Sequence, residues 1–88
     1  MSAQFTYILI DQYVNINYPH LIKRELLKRT LDAIYMNLKP DAVDHQGENN
    51  RIAVKGYKVL DLVNTLGIAG WELVCVEGHQ YWLKHREG

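Results

Sequence analysis

The residues with the most chemical reach lie near the C-terminus: Glu72, Cys75, His79 and His85, within the stretch GWELVCVEGHQYWLKH that also holds both tryptophans. A thiolate beside a histidine base would do nucleophilic chemistry, and a cysteine with two histidines would hold zinc. The spacing favours neither. The stretch alternates with a period of two on either side of Gly78-His79, a glycine-first pair suited to a two-residue type II′ turn, so it reads as a β-hairpin. Counting back from the turn sets Val76 against Tyr81, Cys75 against Trp82, Val74 against Leu83 and Glu72 against His85. The turn then separates Cys75 from His79, and His85 alternates onto the face opposite Cys75. No C-x-x-C or H-x-x-x-H spacing occurs in the chain. Cys75 is expected to be a buried structural thiol, the usual state of a free cysteine. Glu72 with His85 is expected to be a stabilising cross-strand contact, with an acid and base pair as the alternative. No metal ligand set and no cofactor signature emerges.

The elements that must position these groups are legible in outline. FTYILIDQYVNI, Phe5 to Ile16, is aromatic and β-branched and reads as a strand. Neither of its faces is polar, which predicts a central or doubly covered position. From His20 to Leu38 the period becomes 3.6, with Leu27, Leu31, Ile34 and Leu38 on one face and Arg24, Glu25, Lys28, Arg29 and Asp32 on a solvated one. Pro19 is expected in the first turn of this helix and Pro40 beyond its end. Pro40 to Gly56 reads as a long polar loop, with Ile52 to Val54 compatible with either a short strand or extended chain. A second helix fits Tyr57 to Leu66, closed by Gly67 in a left-handed cap. Gly67 and Gly70 then bracket a tight turn into the hairpin, where Trp71 is expected to anchor helix against sheet.

The order strand, long helix, loop, short helix, hairpin predicts a single α+β domain over residues 1–88, with a three-stranded antiparallel sheet and two helices packed on one face. Alternation places Val74, Val76, Tyr81 and Leu83 on one face of the hairpin, and Trp71, Leu73, Cys75 and Trp82 on the other. Both are apolar, so the face away from the helices is expected to need a cover.

LGIAGWELVCV, Leu66 to Val76, followed by YWLKHRE, resembles the C-terminal signature of the domain of unknown function 4177 family. Leu66, Gly67, Gly70, Trp71, Glu72, Leu73 and Val74 match its Leu-Gly-x-x-Gly-Trp-Glu-Leu-Val pattern, and Lys84-His85-Arg86 places a histidine between the basic residues of the closing strand. The resemblance implies a small α+β fold and no particular activity.

Ten Lys plus Arg balance ten Asp plus Glu, so no global field draws the chain to nucleic acid, membrane or acidic substrates. No apolar run approaches the roughly 20 residues that cross a bilayer, and the N-terminus lacks an export signal, which suggests a cytoplasmic protein. The expected function is a binding or interaction module acting as a homodimer or larger homo-oligomer. Tyr7, Tyr81, Trp82, His79 and His85 are its candidate surface for a partner or small ligand. One alternative is a small enzyme with a site at a subunit boundary using His79, His85 or Glu72. Another is nucleic-acid binding through Lys23, Arg24, Lys28 and Arg29, or by stacking on Tyr7, Tyr81 and Trp82.

Overall fold

A computed structural model of the chain describes residues 4–38 and 43–87. Its elements are β1 Gln4–Ile10, β2 Asn15–Asn17, α1 Arg24–Leu38, β3 Val43–Gln46, a 3-10 turn Gly47–Asn49, β4 Arg51–Val54, α2 Val59–Ile68, β5 Glu72–Glu77 and β6 Gln80–Glu87. The α+β class is as expected, but the sheet has six antiparallel strands in the order β3-β4-β2-β1-β6-β5, rather than three. The three extra strands hold only three or four residues each. Segments that short carry no readable period; pairing with longer neighbours orders them.

Two of the corrections concern where the chain turns. The segment Phe5 to Ile16 is a hairpin, because Asp11 gathers its own turn: Asp11 Oδ1 accepts from the N–H groups of Tyr13 and Asn15 at 2.9 and 3.1 Å, and Val14 N–H donates to the Asp11 carbonyl at 3.1 Å. Val14 is left at φ 61°, a left-handed conformation strained for a β-branched side chain. Residues 43–56, expected to be loop, instead make the β3–β4 hairpin, with Asn50 at φ 50° turning the chain after the 3-10 turn. Ile52 to Val54 is therefore strand. Pro40 lies outside the described residues.

The first helix starts at Arg24, four residues later than the period suggested. Tyr18 N–H is still tied to the sheet edge at Asn50, and Pro19 opens a separate turn that Ile22 closes. The chain needs that turn to climb from sheet to helix layer. The charged residues Arg24, Glu25, Lys28, Arg29 and Asp32 are all exposed. The most buried stripe is Leu26, Thr30, Ala33 and Ile34, rotated slightly from the leucine face.

Alternate residues of the sheet, Ile8, Ile10, Ile16, Ile52, Val54 and Leu83, share one face and close a single core with Leu26 and Ile34 of α1 and Leu62 and Leu66 of α2. Each such side chain contributes about 1.5–3 kcal/mol by leaving water. Both helices lie on this face.

Candidate functional site

The face away from the helices is defined by the register of its strands. β1 pairs with β6 through Phe5 and Arg86, Tyr7 and Lys84, and Leu9 and Trp82, while β6 pairs with β5 through Lys84 and Glu72, Trp82 and Cys75, and Gln80 and Glu77. These residues alternate with the buried set and therefore share the open face. Phe5, Tyr7, Leu9, Trp82 and Cys75 make it apolar over β1, β6 and β5, whereas Asn15, Asn17, Arg51 and Asp44 make it polar over β2, β4 and β3. Tyr7 is 49% exposed and Val74 48%. A shallow depression of about 280 Å³ lies between Tyr7, Trp82, Cys75, Val74 and Glu77, and Lys84 Nζ sits 4.5 Å from the Phe5 ring centre.

A β-bulge between Leu73 and Cys75 corrects the expected hairpin register. Near the turn the pairing is as anticipated, with Gly78 at φ 59°, but beyond the bulge Leu73 meets Leu83 and Glu72 meets Lys84. Glu72 is thus not opposite His85, which pairs with Thr6 on the helix-covered side, and the acid–base alternative loses its geometry. The bulge inserts one residue, Val74, and so moves Leu73 off the face of Cys75. Cys75 is exposed, not buried, because β5 is the outermost strand and nothing covers its open side.

The remaining candidates disperse. Tyr81 pairs with Ile10 and packs against the core, so it does not join Tyr7 and Trp82. His79 stands exposed in the turn, beside Asp11 and Tyr13 at the end of the sheet. Lys23, Arg29 and Arg86 border a groove of about 400 Å³ with His85, but Glu25 and Glu87 enter the same groove and offset most of their charge. Among the described residues no three His, Cys, Asp or Glu side chains form a group able to hold a metal ion, and no helix is long and apolar enough to cross a membrane.

Trp71, 3% exposed, anchors the helix layer. Its Nε1–H donates to Thr30 Oγ1 at 2.9 Å, and that hydroxyl donates to the Leu26 carbonyl at 2.7 Å. The chain reaches Trp71 through a helix stop that belongs to Gly70, not Gly67: Gly67 is helical, while Gly70 has φ +96°. Gly70 N–H bonds the Gly67 carbonyl and Trp71 N–H the Leu66 carbonyl, the paired bonds of a Schellman cap. A Cβ on Gly70 would fall 2.7 Å from His85 Nε2. That nitrogen lies 3.1 Å from the Ala69 carbonyl, and the imidazole meets the Trp71 indole edge-on at 5.3 Å. A carbonyl only accepts, so Nε2 carries the hydrogen. His85 is thereby fixed in the packing between turn and sheet.

Two polar pairs outside the candidate set complete the picture. The Tyr18 hydroxyl and His45 Nε2 share a 2.8 Å hydrogen bond that ties β3 to the core, and burial holds the Tyr18 phenol above its ordinary range. At Asp11, burial pushes the carboxyl up. Donors from Asn15 N–H, the Asn17 amide, Tyr13 N–H and the Asn15 amide outweigh it, and the group sits below its ordinary value of 3.8.

Sequence reasoning missed Thr30 as the partner of Trp71, and Val74 as part of the open face. Neither had a local signal, since the first depends on helix–turn contact and the second on a bulge. Against known protein families, curated proteins and solved structures, the chain has no match.

Proposed function

We propose that the protein is a small interaction module that self-associates through its open sheet face. The observation that carries this reading is the apolar half of that face: Tyr7 and Val74 half-exposed, beside Phe5, Leu9, Cys75 and Trp82, over three adjacent strands. A contiguous apolar surface of this kind on a small domain marks a binding face. Its aromatic residues are the types that dominate interface energetics. A second copy is the occupant that fits, because the face carries opposite charges at its two ends, Arg86 at one and Glu77 at the other. On the helix side the edge strand β5 also exposes Leu73 and Val76 by about half, but no aromatic row runs beside them as it does on the open face.

Light scattering coupled to gel filtration tests the proposal. The expected mass shifts from the chain's 10.3 kDa toward twice that value as concentration rises, and Trp82→Glu restores the single-chain mass. A parent protein that stays at 10.3 kDa across a hundredfold concentration range overturns the reading.

A further inference from the structure

Four rows cross the strands on the apolar half of the open face: Phe5 with Arg86; Tyr7 with Lys84 and Glu72; Leu9 with Trp82 and Cys75; and Gln80 with Glu77. In the second row Lys84 stands opposite Glu72, and its ammonium reaches over the Phe5 ring of the first row. The outer rows differ in sign. The first ends in a cation and the last in a carboxylate, to which the polar half adds Asp44 in the same row.

Resting on the self-association proposed above, we infer its geometry: two copies stack open face on open face with antiparallel strands, so that Arg86 of each lies beside the partner's Glu77. A two-fold axis between the sheets and across the strands produces this arrangement. It lays the Tyr7 row of one copy over the Trp82 row of the other. Packed sheets stand about 10 Å apart, a gap that long side chains from both copies span.

The competing arrangements meet specific obstacles. A two-fold axis along the strands would lay the Arg86 row of one copy over the Arg86 row of the other and the Glu77 row over the Glu77 row, and facing like charges oppose docking. Pairing β5 with itself edge to edge would set Glu72 against Glu77 at both ends of the strand, when centred on it. The bulge beside Val74 also breaks the straight edge that such pairing needs. The same bulge leaves the open face intact.

Charge reversal followed by sedimentation equilibrium tests the geometry. Arg86→Glu and Glu77→Arg should each raise the dimer dissociation constant about fivefold, the scale of the two weak rim ion pairs that each reversal breaks in a symmetric dimer, and the double reversal should return it to within about twofold of the parent. In a Cys75→Ser background, Arg86→Cys protein mixed with Glu77→Cys protein should be linked into a heterodimer by a short bismaleimide whose reach matches the roughly 10 Å between packed sheets, while Arg86→Cys protein alone should not cross-link. A parent dimer whose double reversal fails to recover, or whose Arg86→Cys form cross-links to itself, overturns the antiparallel geometry and leaves self-association standing. A parent that never dimerises overturns both.

Discussion

The two faces of β1 are built from the same strand and meet opposite fates. Ile8 and Ile10 are 2% and 0% exposed beneath the helices, while Tyr7, the neighbour of Ile8 in sequence, is 49% exposed on the other side. Alternation decides which side each residue takes, and the helix layer decides which side is closed. The closed side is aliphatic and tightly packed, and the open side is aromatic, suiting residues that contribute both in water and at an interface. The difference teaches that apolar composition alone does not tell core from docking surface. Both sides are apolar here, and only one has a covering layer of its own.

The largest effect that would break this comparison is expected on the closed side. Trp71→Ala should lower stability by about 3–5 kcal/mol because it removes the indole and leaves the Thr30 hydroxyl without its donor. Urea melts check it, and a Trp71→Ala protein as stable as the parent would mean that the turn does not anchor the helices. Next is the direct contrast within β1. Ile10→Ala should cost about 2–5 kcal/mol, whereas Tyr7→Ala should change the dilute monomer's stability by about 1 kcal/mol or less while weakening association. If the two substitutions destabilise equally at concentrations where the protein is monomeric, the open side is not open.

The smallest effect sharpens the boundary between the apolar and polar halves, at the β1–β2 turn. The Asp11 carboxyl is held below its unfolded value, so its contribution is fully present above about pH 4 and is lost as pH falls through the folded value. Denaturant midpoints measured from pH 6 down to pH 2 should therefore fall more for the parent than for Asp11→Asn. Equal acid sensitivity would show that the turn's donors do not select the ionised form.

The hairpin between β5 and β6 was legible to the extent that its turn was local. Gly78 first in the turn gave the correct pairing for Val76 and Cys75. The register beyond them was not legible, because a bulge depends on how a strand bends against its neighbour rather than on its own residues. Gly67 and Gly70 show the same limit at finer scale: both are glycines at the end of a helix pattern, and the choice between them falls where the chain must turn to bring Trp71 under α1.

The sequence by itself determined the α+β class, both helices to within a few residues, the solvated face of α1, the apolar character of both faces of β1 and the burial of Trp71, because periodicity and side-chain type are local properties. Tertiary structure alone decided that β2, β3 and β4 join the sheet, that β5 is an edge, and that Cys75 is exposed. It also separated His85 from Glu72 and turned Gly70 rather than Gly67 into the helix stop. Each of these depends on which segments pair and which layer lies over them, and such partners are distant in the chain: Thr30 meets Trp71 and Thr6 meets His85 only once the sheet has closed beneath the helices.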